Sequence, residues 1–107
     1  MIKTIPRSIK SDLIDYRKLL RSNGINITKI ILFGSIAKGK SDKFSDIDVA
    51  IVSPSFGKNY RREMVKLTIL SSQINDNIEP HPFNPAELNN KFNALANEIK
   101  KYGLVIK

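Results

Sequence analysis

Two aspartates separated by one residue, Asp46 and Asp48, are the side chains best placed for chemistry in this sequence. They open the apolar stretch DIDVAIV, which predicts a strand over residues 46–52. Side chains two apart on a strand share a face, so both carboxylates point together while Ile47 and Val49 point away. Carboxylates roughly 6 Å apart repel by ~2–3 kcal/mol at an effective dielectric near ~20, and a cation offsets this repulsion. Paired hard oxygen ligands suit Mg²⁺ or Mn²⁺, while the alternative is a polar strand end whose carboxylates cap turns or pair with lysines.

A glycine–serine turn precedes this pair. The apolar run IILF ends at Gly34, and Ser35 follows it. Gly34 lets the backbone approach an anion closely, the Ser35 hydroxyl can donate to a phosphate oxygen, and the next N–H groups lie at a positive helix end. Gly39 ends the turn, and lysines add positive charge nearby: Lys38, Lys40 and Lys43. Alone this pattern is more often a tight turn, but beside a metal-binding pair it predicts the other half of a nucleoside triphosphate site.

The remaining elements must hold these two pieces together. Apolar residues at helical spacing predict helices over residues 8–22 and 59–74. The continuous run at residues 30–33 predicts a strand covered on both faces. The apolar side of the acidic strand needs a helix layer, so the two aspartates are expected on the opposite, open face.

The best-marked helix follows an extended piece at residues 78–83. Asn84 can cap it, Pro85 suits its first position, and Glu87 completes a capping box. Gly103 stops the helix before a last short strand at residues 104–106. One apolar stripe is expected to run through it: Leu88, Phe92, Leu95 and Ile99. The element order predicts an α+β fold, close to α/β, in which a small mixed sheet carries helices on one face.

Length and composition limit the class of protein. The 107 residues are enough for one domain and too few for two, so residues 1–107 are expected to form a single domain. The absence of cysteine excludes disulfides and thiolate metal sites and fits a reducing compartment. No apolar run approaches the ~18 residues that span a bilayer, and the N-terminus lacks a signal-peptide core. We therefore expect a cytoplasmic protein without a membrane anchor.

The net charge of +8 favours an anionic partner. Charge alone does not choose among nucleotides, nucleic acid and an acidic protein. Nucleic acid ranks last, because the sequence has no zinc-finger spacing, no RNA-recognition aromatic signature and no clear helix-turn-helix pattern. The oligomeric state stays open, with a homo-oligomer among the alternatives.

The spacing of Gly34-Ser35, ten further residues and Asp46-Ile47-Asp48 resembles the signature of the DNA polymerase β nucleotidyltransferase superfamily. The sequence is most similar to its small stand-alone members, the minimal nucleotidyltransferases often encoded beside a HEPN-domain partner. The resemblance implies a polymerase β-type fold, ATP with Mg²⁺ or Mn²⁺, and transfer of a nucleoside monophosphate, AMP, to a hydroxyl. It also implies a HEPN toxin as the acceptor, which makes this chain an antitoxin. Gly34, Ser35, Lys38 and Gly39 are then expected to bind the nucleotide.

The family usually places a third acid on a neighbouring strand, as metal ligand and as base for the attacking hydroxyl. Here Glu79 is the candidate, although Asp is commoner at that place and a longer side chain changes the reach to metal. Pro80 and Pro82 lack N–H groups on one side, so this strand is expected at a sheet edge, pairing through its other side. Asp76 is the competing choice, but it lies in a predicted turn. The resemblance thus implies that Asp46, Asp48 and Glu79 are the catalytic and metal-binding residues.

Other polar residues carry weaker signals. His81, the single histidine, could touch a ribose or phosphate, but an exposed strand histidine is the favoured interpretation. A basic cluster opens the middle helix and is best interpreted as a solvated face: Tyr60, Arg61, Arg62 and Lys66. An antitoxin that keeps the fold but only masks its partner is the alternative function, because larger relatives carry an additional domain that helps to form the acceptor site.

Overall fold

The computed structural model describes residues 5–39 and 46–107 of the chain. Its elements follow one another in this order: α1 (Arg7–Ser22), β1 (Lys29–Phe33), α2 (Gly34–Ala37), β2 (Ile47–Val52), α3 (Tyr60–Ser72), β3 (Ile78–Phe83), α4 (Pro85–Leu88), α5 (Ala94–Tyr102) and β4 (Leu104–Val105). The first and middle helices and all the strands lie within two residues of their predicted bounds. The predicted α+β fold class is confirmed.

Four strands in the described part of the chain form one mixed sheet with the order β3-β2-β1-β4. β1 pairs antiparallel with both β2 and β4, whereas β2 pairs parallel with β3 through the crossover helix α3. β3 therefore lies at a sheet edge, as the two prolines predicted. Pro80 and Pro82 lie opposite Val49 and Ile51, and the missing N–H groups leave the edge side of the strand less able to pair with another strand.

One face of the sheet packs on α1 and α3. Alternate residues of β2, Ile47, Val49 and Ile51, are buried in this cluster, which also contains Leu13 and Leu67 from the two helices. Tyr16 of α1 donates its hydroxyl to the carbonyl oxygen of Leu67 at 2.8 Å, a buried bond that joins the helices. This is the helix layer that the apolar side of the acidic strand predicted.

The second face is also covered, which corrects the expectation of helices on one face alone. Ala50 and Val52 of β2 are buried there with Leu88 of α4 and with Ala96 and Ile99 of α5. Toward one end of the sheet the strands carry apolar residues on both faces. Both faces therefore need a helix layer there. Only the beginning of β2 carries acid on this face, so the predicted open face is confined to one end of the sheet.

The single long helix predicted after Asn84 is wrong, because the structure breaks it into α4 and α5. The capping box of Asn84 and Glu87 is present and starts α4. The break follows from asparagines whose side chains accept backbone N–H groups: Asn90 bonds the Phe92 amide, and Asn93 caps α5 through the Ala96 amide. Phe92 consequently lies 86% exposed instead of continuing the apolar stripe.

Within residues 5–39 and 46–107, the helices are too short or too polar to cross a lipid bilayer.

Candidate active site

Parallel pairing of β2 with β3 brings two carboxylates side by side. Asp48 and Glu79 are register partners, and both side chains lie on the sheet face that carries α4 and α5 further along. Ile78 and Ile47 point to the other face, into the cluster under α1 and α3. The competing acid, Asp76, lies in the exposed turn before β3 begins. The alternation of the edge strand thus places Glu79 beside the acidic strand, as predicted.

The ionisation of Glu79 reflects this crowding. Its pKa is raised, first by a side-chain hydrogen bond with Asp48, then by partial desolvation and by the negative charges of Asp46 and Asp48. A hydrogen bond between two carboxyl groups requires one proton between them, so the metal-free site holds that proton more tightly than an isolated glutamate does. The site therefore carries unbalanced negative charge that a cation can neutralise.

The glycine–serine turn lies directly against the same aspartate. Phe33, the last residue of β1, is the register partner of Asp48, and Gly34 follows with a φ of +78°. A Cβ on Gly34 would come 2.5 Å from Asp48 Oδ2 and 3.3 Å from its Cβ. Only glycine allows both this backbone conformation and this approach. The two halves of the sequence motif are therefore in van der Waals contact.

Asp46 lies immediately before β2 and is exposed. Its carboxylate is not among the three groups whose ligand atoms come within 4.8 Å of one another, which are Asp48, Glu79 and His81. It is near enough for its charge to raise the pKa of Glu79. Asp46 thus lies near the acidic cluster, but β2 begins at Ile47, so this residue is outside the strand on which the sequence predicted it.

His81 is the residue that sequence reasoning undervalued. It follows Glu79 by two positions on β3 and so shares its face, and its side chain is 25% exposed. The Nε2 atom lies 3.5 Å from Asp48 Oδ1, and the imidazole meets the Phe33 ring edge-on at 5.2 Å between centroids. The signal was present in the sequence, since an acid and a histidine two apart on one strand must point the same way.

The lysine predicted to bind nucleotide is engaged elsewhere. Lys38 closes α2, and its Nζ lies 2.9 Å from Glu98 Oε1 on α5 and 4.9 Å from the centre of the Tyr102 ring. Ser35 is exposed beside it, and Gly39 follows with a φ of +74°. Lys40 and Lys43 lie outside the described residues. Among the described residues of the turn, Lys38 is the positive side chain, and it must break its ion pair with Glu98 before it can contact a phosphate.

The donors of this cluster are chemically suited to a divalent cation. Two carboxylates and one imidazole nitrogen converge at the open end of the sheet, with a third carboxylate beside them. Hard oxygens and imidazole are common ligands of divalent metal ions. Next to them, the glycine turn offers backbone that a phosphate oxygen can approach. The arrangement can hold a cation and a phosphorylated ligand within one small site.

The amino-acid sequence of residues 13–104 matches the family model described as nucleotidyltransferase domain. Among curated proteins, none matches the chain.

Solved structures share the fold. One chain of a toxin–antitoxin crystal structure with AMP-PNP has a TM-score of 0.66 and 24% identity, over 92% of this chain and 72% of that one. A chain of a mutant MntA-HpeT toxin–antitoxin has a TM-score of 0.63 and 21% identity, over 92% and 71%. A candidate nucleotidyltransferase from Sulfolobus solfataricus has a TM-score of 0.59 and 17% identity, over 98% and 90%.

Proposed function

Because the chain belongs to the nucleotidyltransferase domain family, we propose that it transfers a nucleoside monophosphate, AMP taken from ATP, to a hydroxyl group on another molecule. The observation that carries this proposal is the contact of Gly34 with Asp48, with Glu79 in register on the other side of that aspartate. A phosphate-binding turn and an acidic cluster in direct contact can bind the two parts of a metal–nucleotide complex at once.

Three carboxylates are assigned as ligands of the divalent ion: Asp46, Asp48 and Glu79. The fit rests on two observations, the raised pKa of Glu79 and the absence, among described residues, of a hydrogen-bond partner for the buried Nε2 of His81. Both indicate a site built for a positive charge. When bound, Mg²⁺ or Mn²⁺ neutralises charge on the phosphate oxygens of the reacting nucleotide.

The turn residues hold the triphosphate. Gly34 lies beside the acidic cluster, where its backbone N–H group can donate to a phosphate oxygen. Ser35 follows it, and its exposed hydroxyl can donate to another. Lys38 and Gly39 end the same turn, and Lys38 exchanges the carboxylate of Glu98 for a phosphate when nucleotide binds. Positioning and charge neutralisation are the main demands of this class of transfer, so few further groups are needed.

Glu79 takes the proton of the attacking hydroxyl. Its carboxylate is in register with Asp48 and is exposed, so an acceptor hydroxyl can reach it. The hydroxyl oxygen forms a bond to the α-phosphorus, the bond to the β-phosphate oxygen breaks, and pyrophosphate leaves. The proton ends on the Glu79 carboxylate, which releases it to solvent because the residue is exposed.

The acceptor is proposed to be a hydroxyl on a partner protein. The fold is shared with chains of toxin–antitoxin structures, one of them with AMP-PNP. By the resemblance of the sequence motif to the minimal nucleotidyltransferases, the partner is proposed to be a HEPN toxin in the cytoplasm, and residues 1–107 are proposed to act as one antitoxin domain. The test is incubation of the full chain with ATP, Mg²⁺ and candidate HEPN partner proteins, followed by mass spectrometry. A gain of one AMP on the partner supports the proposal, and an unmodified partner with active controls refutes it.

A second candidate function is neutralisation of the partner by complex formation alone. An exposed apolar face on α3 favours it, since Val65 and Ile69 are 53% and 57% exposed and line a groove of about 470 Å³. Arg62 and Lys66 border the same groove. Exposed aliphatic residues grouped on one helix mark a protein-binding surface more often than scattered ones do.

Two sets of variants separate the candidates. Replacing Asp46 and Asp48 by Asn removes the proposed chemistry and leaves the α3 face intact. Ile69→Asp disturbs that face, and Thr68→Asp, an exposed neighbour on α3, is its matched control. Loss of toxin neutralisation by the double Asn variant, with the complex still formed, supports transfer. If the double Asn variant still neutralises the toxin and Ile69→Asp does not, the result supports masking.

A further inference from the structure

His81 occupies a position that the proposed reaction does not use. Its register partner on β2 is Ala50, one step along the same face from the pair of Asp48 and Glu79. The Phe33 ring packs edge-on against the imidazole at 5.2 Å. This ring contact limits the orientations that the imidazole can adopt. The imidazole is therefore held in place toward the acidic cluster.

The nitrogen that faces the cluster has no hydrogen bond. Nε2 is buried, and the described residues give it no hydrogen-bond partner. It lies 3.5 Å from Asp48 Oδ1 without hydrogen-bond geometry. Buried polar atoms are normally satisfied, so an unpaired one directed at carboxylates needs an explanation.

The separation of these two atoms matches that of neighbouring ligands on one metal ion. Ligand atoms roughly 2.0–2.2 Å from a metal, at angles between right and tetrahedral, are about 2.8–3.6 Å apart. The ligand atoms of Asp48, Glu79 and His81 all lie within 4.8 Å of one another. Glu79 is exposed, so its long side chain can adjust without disturbing the core.

We propose that His81 Nε2 is a metal ligand together with Asp48 and Glu79, which gives the site a preference for a transition ion such as Zn²⁺ over Mg²⁺. This inference deepens the proposed function and rests on it. Mg²⁺ is bound by oxygen and keeps several waters, whereas imidazole nitrogen suits Zn²⁺ and related ions. The mixed donor set follows from the strand geometry, since residues 79 and 81 share one face of β3.

The single histidine makes a direct test possible. The full chain, labelled with ¹⁵N and free of any purification tag, gives one imidazole in a long-range ¹H–¹⁵N spectrum. Zn²⁺ is expected to shift the Nε2 resonance in a saturable way, Mg²⁺ is expected to shift it far less, and Asp48→Asn is expected to abolish the response. An Nε2 resonance that stays unchanged while Zn²⁺ binds the carboxylates would overturn the inference.

Calorimetry on His81→Gln provides a second measurement, with thermal unfolding as the check on folding. Zn²⁺ affinity is expected to fall by at least ~10–100-fold, the loss typical even of an outer-shell partner. Mg²⁺ affinity in the presence of AMP-PNP is expected to stay within about threefold, because an oxygen-seeking ion gains little from imidazole. An equal loss of Zn²⁺ and Mg²⁺ affinity in His81→Gln would overturn the proposed preference for Zn²⁺. Mg²⁺ binding with AMP-PNP but no Zn²⁺ effect on His81 refutes this inference alone, and no divalent binding at all refutes the proposed function as well.

Discussion

Gly34 and Asp48 are packed so closely that a methyl group on the glycine would meet the aspartate carboxylate, with 2.5 Å between the added Cβ and Oδ2. Fourteen positions separate the two residues in the chain, and the antiparallel pairing of β1 with β2 closes that distance. The glycine–serine turn and the acidic cluster thus form one site, in which a single added methyl group would displace a carboxylate.

The first prediction concerns that contact. Gly34→Ala is expected to abolish binding of Mn²⁺ and AMP-PNP, because the new methyl group displaces the Asp48 carboxylate. Gly24→Ala is the matched control, since its φ of +80° is close to the +78° of Gly34 but no atom outside its chain neighbours lies within 4 Å of its added Cβ. Both variants should lose roughly 1–2 kcal/mol of unfolding free energy for the left-handed backbone. Equal nucleotide affinity in the two variants, measured by calorimetry, would contradict the prediction.

The second prediction concerns charge at the proposed metal site. Because the pKa of Glu79 is raised, the metal-free fold is most stable with that residue protonated, and stability is lost as pH rises through the folded-state pKa. Glu79→Gln should therefore stabilise the metal-free protein at pH 8, by less than ~1 kcal/mol because an exposed group is screened. Asp15→Asn, which removes an exposed carboxylate on α1, should show no such gain.

The same variants test the response to metal. Saturating Mn²⁺ should stabilise the wild-type chain by ~2.7 kcal/mol at a concentration 100 times its dissociation constant. The gain should be much smaller in Glu79→Gln and unchanged in Asp15→Asn. Thermal unfolding with and without Mn²⁺ measures it, and a full response in Glu79→Gln would remove this residue from the ligand set.

The third prediction concerns Lys38. Glu98→Gln should strengthen AMP-PNP binding by up to about fivefold, the equivalent of a part-exposed ion pair of ~1 kcal/mol, because the lysine no longer has to leave a carboxylate. Lys38→Ala should weaken binding, and the double variant should resemble Lys38→Ala. If Glu98→Gln strengthens binding equally in the Lys38→Ala background, the lysine does not contact phosphate.

The fourth prediction concerns the core under α1. Burial raises the pKa of the Tyr16 hydroxyl, which donates to the Leu67 carbonyl oxygen, so its contribution is present below the ordinary tyrosine pKa near ~10 and is lost as pH rises beyond it. Tyr16→Phe should cost about 0.5–1.5 kcal/mol at pH 7 and lose less stability above pH ~10 than the wild type does.

Urea unfolding across this pH range measures the difference. Tyr60→Phe, at a tyrosine that is 58% exposed, should follow the wild type at every pH. A parallel loss of stability in wild type and Tyr16→Phe would mean that another group causes the alkaline transition.

Local signals predicted most of the elements. The capping box at Asn84 and the apolar spacing of α1 and α3 depend on neighbours within a few residues, which the sequence shows directly. The prolines of β3 predicted an edge strand for the same reason. The error at Phe92 arose because helical spacing continued through asparagines whose side chains compete for backbone N–H groups.

The sequence by itself determined which residues can take part in the chemistry and which side chains share one face of a strand. It set which side chains are acids and that residues 79 and 81 fall on alternate positions of one strand. It also set that a glycine ends the apolar run before the two aspartates. Strand alternation and the steric freedom of glycine are local properties, so they can be predicted without a fold.

Only the tertiary structure decided which of these groups meet. The parallel register of β2 with β3 sets Glu79 opposite Asp48, and the antiparallel register of β1 with β2 sets Gly34 against the same carboxylate. It also turned His81 inward and tied Lys38 to α5. Register depends on how two distant segments bury their apolar faces together, and a shift by one residue would exchange those faces, so no local pattern can specify these contacts.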